Sequence, residues 1–137
     1  MVTQNTIKLK PYSRGFHLIT PEITKHLPKI TGLVNVFIKH TSASLTINEN
    51  ADPTVREDFE EHFNKMVSEK ETYFKHTLEG PDDMTSHIKT SLLGSSINFP
   101  IKSGLPLFGV WQGIYLCEHR NNGGSRKLII TAYGKDG

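Results

Sequence analysis

From Leu33 to Lys39 the side chains alternate with the period of two that marks an extended strand. Val34, Val36, Ile38 and His40 share one face, opposite Leu33, Asn35, Phe37 and Lys39, so His40 stands where an apolar face ends. Leu45 to Asn48 reads as a second strand. Between the two lie Thr41, Ser42, Ala43 and Ser44, small residues that let backbone N–H groups and hydroxyls approach phosphate or carboxylate oxygens. Upstream, Thr3 to Lys10 alternates weakly and is closed by Pro11, the pattern of an edge strand, with Phe16 to Ile19 as its expected hairpin partner. Thr20, Pro21 and Glu22 start a short helix that stops at Pro28, and Thr31 and Gly32 are expected to turn the chain into the central strand.

After Asp52 the period becomes helical. Asp52 caps a helix from Pro53 to about Glu69, in which Val55, Phe59, Phe63 and Met66 recur at spacings of four, four and three on a core-facing stripe bordered by Asp58. A short aromatic segment, Tyr73 to His76, leads to a turn at Gly80 to Asp83. Asp82 or Asp83 is expected to cap a second helix that runs through Leu93 to Gly94 and carries His87 near its first turn. Strands dominate from there: Ile97 to Ile101, a turn at Ser103 to Pro106, and a long strand from Leu107 to Glu118. In the last of these Val110, Gln112, Ile114, Leu116 and Glu118 face one way, and Trp111, Gly113, Tyr115 and Cys117 the other. Asn121 to Gly124 reads as a hairpin loop from which Lys127 to Tyr133 returns antiparallel. About seven strands against two main helices predict an α+β fold, a single compact domain over residues 1–137 built as an antiparallel β-sandwich. Strand and helix do not alternate regularly enough for a doubly wound parallel sheet.

Composition narrows the class. At 137 residues the chain is long enough for one core and too short for two ordinary domains. A net charge of +2, with no basic stripe, does not point to nucleic acid. Cys117 is the single cysteine, so an intramolecular disulfide is impossible and a reducing, cytoplasmic setting is expected. No apolar run is long enough to span a bilayer, and no membrane partner is expected.

Several residues can carry chemistry. His40, His76 and His87 suit either acid/base work or metal ligation, although their separations match no short zinc pattern. Glu49, Asp52, Asp58 and Glu118 can serve a hard cation such as magnesium, with Asp52 more simply a helix cap. The loop Gly123 to Lys127 either presents Arg126 to an anion or is a plain turn. The hydroxyl run lacks a G-x-S-x-G frame, and no Walker or Rossmann glycine pattern occurs. Cys117, beside Trp111 and Tyr115 in the strand alternation, reads as a small core residue.

Taken together, HTSASLTINENADPTVREDFEEHF from His40, YFKHTLEGPDDMTSHIKTSLLGSS from Tyr73 and PIKSGLPLFGVWQGIYLCEHRNNGGSRKLIITAYG from Pro100 closely resemble the YjbQ-like family, over nearly the whole chain after about residue 30. The H-T-S-A-S stretch and the G-x-W-Q-x-I strand are the most distinctive parts. The resemblance implies a compact α+β sandwich that assembles as a homotrimer, polar residues gathered near subunit boundaries, and a weak, secondary thiamine-phosphate synthase activity. Matched positions are His40, Thr41, Ser42, Glu49, Asp58, His76, His87, Gln112 and Glu118. The sequence departs from the family pattern at Asp83, Met84 and Thr85, where Asn or Ala is more usual, and in the long EHRNNGGSRK segment.

As an enzyme, such a protein joins a pyrimidine pyrophosphate to a thiazole phosphate and releases pyrophosphate. The site must neutralise phosphate charge and exclude water. His40, Asp58, His76 and His87 are then the expected catalytic residues, with Thr41, Ser42, Ser44, Gln112 and Arg126 against the substrate. A divalent metal, magnesium or zinc, falls to His40, His76, His87, Glu49 and Glu118. The expected partner is a phosphorylated small molecule. Two alternatives remain open: a non-catalytic trimeric protein that holds a metal or metabolite, and a hydrolase of small phosphorylated or lactone-like metabolites.

Overall fold

The alternation at Val34, Val36 and Ile38 becomes the centre of a five-stranded antiparallel sheet, all three side chains being at most 1% exposed. The computed structural model describes residues 1–137. Strand β3 (Ile30–Ile38) is flanked by β8 (Lys127–Asp136) and β5 (Ser96–Lys102); β1 (Val2–Lys8) extends the sheet beyond β8, and the two-residue β6 (Leu105–Pro106) beyond β5. Val34 lies opposite Ala132 and Phe99, and Val36 opposite Ile130 and Ile97, which collects buried residues on one face. Slipping the register by one residue would turn that whole set to solvent. Thr31 and Gly32, expected to turn, lie inside β3. Gly32 pairs with Gly134, where a Cβ on either residue would run into the partner's backbone, so glycine here serves close strand approach.

A second antiparallel sheet contains β2 (Gly15–Leu18), β7 (Gln112–Glu118) and β4 (Ala43–Glu49) in that order. Two expected hairpins are corrected here. Phe16 to Leu18 pairs with β7 and not with β1, whose partner is β8. The return from Asn121 to Lys127 is a crossing between sheets, because β8 pairs with β1 and β3 and not with β7. In both cases the core decides: Ile7, Leu128 and Ile130 face the sandwich interior from the first sheet, and Ile114 and Leu116 face it from the second.

The short helix α1 (Thr20–Thr24) adds Ile23 to that interior. The other face of the smaller sheet presents Phe16, Tyr115 and Cys117, against which Phe59 and Phe63 of α2 (Pro53–Met66) and Leu93 of α3 (Pro81–Leu93) pack. The result is three layers, sheet on sheet on helices, with the faces of β7 divided as its alternation predicts. The strand itself begins at Gln112; Leu107, Val110 and Trp111 precede it on an exposed connection. Asp52 caps α2 through the Thr54 N–H at 2.9 Å. Met66 is exposed where the helix ends, and Val67 supplies the buried side chain instead. Gly80, at φ 102, is the N-cap of α3, leaving Asp82 and Asp83 to turn inward. Cys117 is fully buried, and desolvation pushes its thiol up to about 12. On the outer face of the larger sheet Leu33, Phe37 and Tyr133 stay exposed. No helix is long and apolar enough to cross a membrane.

Candidate functional site

The first turn of α3 gathers the polar centre of the molecule. Asp83 and His87, four residues apart, lie on one helix face, and the segment before the helix brings His76 to the same place. His76 Nε2 is 2.7 Å and His87 Nε2 3.1 Å from Asp83 Oδ2. Arg120, just beyond β7, donates from Nη1 to Asp83 Oδ1 at 2.8 Å, from Nε to Asp82 Oδ2 at 3.2 Å, and from Nη2 to the Glu79 carbonyl at 3.0 Å. The Asn121 N–H gives Asp82 Oδ2 a further hydrogen bond at 2.9 Å.

These contacts explain how two adjacent carboxylates stay ionised in a buried position. Burial alone would push the Asp83 carboxyl up; the His76 hydrogen bond and the charges of His87 and Arg120 outweigh it and hold the group below the usual range. For Asp82, burial is likewise outweighed, by the Asn121 N–H and Arg120. The side chain of His76 is half exposed and that of Asp83 almost wholly buried, so the cluster opens on the histidine side.

His87 faces an acceptor at each end of its ring. Its Nδ1 lies 2.9 Å from the Thr41 carbonyl and its Nε2 faces Asp83, whereas a neutral imidazole carries one N–H. A second proton or a metal cation must therefore satisfy the other contact. The three potential ligand atoms of His76, Asp83 and His87 lie within 4.8 Å of one another.

Beyond His87 opens a groove of about 750 Å³, walled by Phe37 to Thr41 on one side and by His87, Thr90, Ser91, Gly94 and Ser95 on the other. His40 and His87 line it together. Past the end of β3, Lys127 donates its backbone N–H to His40 Nε2 at 2.8 Å. Thr41 is exposed in the same wall.

The other expected site residues lie elsewhere. Glu118 is fully buried in a two-point ion pair with Arg126, at 2.7 Å to Nε and 2.6 Å to Nη2, so neither side chain is free for a cation or an anion. Ser42 is buried and gives its carbonyl to Arg126 at 3.3 Å; Ser44 Oγ is 2.8 Å from Nε2 of the buried His119. Burial, reinforced by Lys89, Arg14 and Arg126, drops the His119 pKa to about 3 and keeps that ring neutral. Glu49 and Gln112 face each other at the far end of the β4–β7 pair, six residues or about 20 Å of strand from Ala43. There Glu49 accepts the backbone N–H groups of Ala51 and Asp52, and Gln112 that of Gly109. Asp58 is exposed on α2 with no hydrogen-bond partner. A single ion bound by His40, His76, His87, Glu49 and Glu118 together is thus incompatible with the fold.

Sequence reasoning missed Asp83 as the residue on which both imidazoles converge, and Arg120 as its anchor. The i, i+4 spacing of Asp83 and His87 was the available signal; nothing local marks Arg120.

Comparison with known proteins agrees with this architecture. The family model described as "UPF0047 protein YjbQ-like" matches residues 5–135. UPF0047 protein YjbQ of Salmonella typhimurium is 54% identical over 136 residues, covering 96% of this chain and 98% of that protein. YugU of Bacillus subtilis is 33% identical over 117 residues, covering 82% and 86%. Among solved structures, an uncharacterized conserved protein of the same family from Clostridium acetobutylicum superposes with a TM-score of 0.81 at 35% identity, covering 92% of this chain and 97% of that one. A conserved hypothetical protein from Thermus thermophilus gives 0.84 at 28% identity over 92% and 97%. With near full-length matches in sequence and in fold, this chain belongs to the UPF0047 YjbQ-like family.

Proposed function

We propose that the chain binds a divalent metal ion at His76, Asp83 and His87 and works on a small phosphorylated metabolite in the adjoining groove, with transfer of the thiamine-phosphate synthase type as a secondary activity. The observation that carries this reading is the convergence of one ligand atom each from His76, Asp83 and His87 within 4.8 Å, where a metal ion, in place of a second ring proton, would satisfy a His87 that faces an acceptor from both ring nitrogens. Two imidazoles and one carboxylate fit a zinc-type ion better than magnesium, which prefers an all-oxygen set. Holding one imidazole nitrogen on a backbone carbonyl while the other points at the ion is a common way of orienting such a ligand. Arg120 orients the carboxylate in turn.

Within that arrangement the ion would supply Lewis-acid stabilisation of phosphate oxygens as negative charge develops on a departing pyrophosphate. The residues of the chain do the rest. Thr41, Ser91 and Lys39 offer donors and positive charge along the groove, and Asp83 holds His76 and His87 in register. The half-exposed His76 leaves the ion's position open to a ligand entering from the solvent side. Hydrolysis of a small phosphorylated metabolite is a second reading, favoured by the same exposure, because water reaches the cluster from the His76 side.

A homotrimer is part of the proposal, supported by the apolar residues Leu33, Phe37 and Tyr133 left exposed on the larger sheet. The test is metal analysis of the purified protein, followed by zinc and magnesium titration of the wild type, His76→Ala and Asp83→Asn. Pyrophosphate release from a pyrimidine pyrophosphate and a thiazole phosphate is assayed alongside. Stoichiometric metal that is lost in both variants is expected; a wild type with no affinity for either ion refutes the metal site.

A further inference from the structure

His40 differs from the other two histidines in what it faces. Its Nε2 receives the backbone N–H of Lys127 at 2.8 Å, and a backbone amide always donates. Nε2 is therefore the unprotonated nitrogen, and the single ring proton sits on Nδ1. Nδ1 makes no hydrogen bond within the chain, while the residue lines the groove.

The ring is held from both sides. Lys39 N–H donates to the Lys127 carbonyl at 3.1 Å, and Arg126, clamped by Glu118, reaches the Ser42 carbonyl at 3.3 Å. Residues 39–42 are thus tied to 126–127 before and after His40. Burial, then the charge of Arg126, with smaller effects of Lys127 and Lys39 and opposed by Glu118, lowers the His40 pKa below the ordinary histidine value. Neutrality suits the geometry, because protonation would turn an N–H against the Lys127 N–H. Metal ligation through Nδ1 fails for the same reason: the proton would have to move to Nε2.

We propose that His40 is the oxyanion donor of the groove, a neutral imidazole locked in one tautomer that presents Nδ1–H to an acceptor oxygen of the bound metabolite, and is neither a metal ligand nor a general base. The assignment rests on the reading of the groove as a phosphorylated-metabolite site and deepens it. The ligand group next to His40 is one that only accepts hydrogen bonds, a phosphate monoester or pyrophosphate oxygen. Lys39 beside it adds charge of the matching sign. Thr90, nine-tenths buried in the same wall, has a hydroxyl without a protein partner. The groove then has two chemically distinct ends, a donor end at Lys39 and His40 and a cation end at His87, Asp83 and His76. A phosphorylated ligand spans them with its oxygens.

Two measurements test this. Long-range proton–nitrogen correlation spectra of the ligand-free protein read the tautomer directly: a bare Nε2 and a protonated Nδ1 are expected at neutral pH, and a protonated Nε2 overturns the assignment. Calorimetric titration with pyrophosphate, and separately with zinc, then compares the wild type, His40→Ala, His40→Asn and His76→Ala. His40→Ala should weaken pyrophosphate binding about tenfold or more and leave zinc affinity within about twofold. His40→Asn, whose amide N–H falls near the place of Nδ1–H and is neither basic nor a good zinc ligand, should recover most of the loss. The assignment falls if the wild type does not bind pyrophosphate, if His40→Asn melts like the wild type yet binds no better than His40→Ala, or if His40→Ala loses zinc as severely as His76→Ala. Zinc affinity that survives His76→Ala defeats the metal reading of the other end and leaves the tautomer result standing.

Discussion

Replacing Glu118 by glutamine tests whether the ion pair under the groove holds the fold together. The carboxylate is fully buried, meets Arg126 at 2.7 and 2.6 Å and accepts the Arg120 N–H at 3.2 Å; Arg126 itself is 4% exposed. Glu118→Gln keeps the shape and removes the charge, leaving a guanidinium that cannot deprotonate in a site without a counter-ion. Breaking a buried pair from one side costs about 3–5 kcal/mol, and a retained amide hydrogen bond offsets about 1 kcal/mol of that. The net expectation is a loss of about 2–4 kcal/mol, or roughly 10 °C in Tm for a domain of this size. Glu118→Met combined with Arg126→Met should cost less than Glu118→Gln alone, since no charge stays stranded. Urea unfolding and thermal melts followed by circular dichroism, at one protein concentration because assembly shifts apparent stability, give both numbers. A Glu118→Gln loss under about 1 kcal/mol, or a double variant that loses more than Glu118→Gln does, would refute the reasoning.

Because the folded pKa of Asp82 is depressed, its contribution to stability is present above the unfolded-state value of 3.8 and fades as pH falls through the lower folded value. Asp82→Asn should therefore flatten the acid limb of a stability–pH curve while also lowering stability at pH 7. Phe59, half-buried and 5.3 Å from the Phe16 ring, should cost about 2–3 kcal/mol when cut to alanine, less than a fully enclosed aromatic. His40→Ala should stay within about 1 kcal/mol in the same melts. Light scattering across micromolar concentrations should return three times the 15.4 kDa chain mass, with Phe37→Glu, on the exposed sheet face, shifting it toward one.

Much of the fold could be read from side-chain periodicity because burial acts residue by residue. The alternation of β3, the two faces of β7 and the Asp52 cap of α2 each depend on neighbours within a few positions. Strand partners depend on distant ones: nothing near Phe16 says that its sheet contains β7, and a glycine needed for close approach at Gly32 looks like a glycine needed for a turn. At the site the same division holds. His40 and His87 could be suspected from where they end or begin elements. Asp83, however, looked like a cap because an acid beside a helix start usually is one, and its inward turn depends on Arg120, some forty residues away in sequence. Glu118 was visible as a polar residue on an apolar strand face and Arg126 as a charge in a loop, but their mutual neutralisation depends on how two different sheets are joined.

The sealed environment of Cys117 also makes the native chain silent toward thiol reagents: its sole sulfhydryl is fully enclosed and its pKa of about 12 leaves almost no thiolate at neutral pH. A cysteine introduced at Leu78, whose side chain is wholly exposed two residues from His76, would then take a maleimide dye at one defined position without first replacing Cys117. Such a label would turn uptake of zinc beside His76, where the proposed site takes it, into an optical signal.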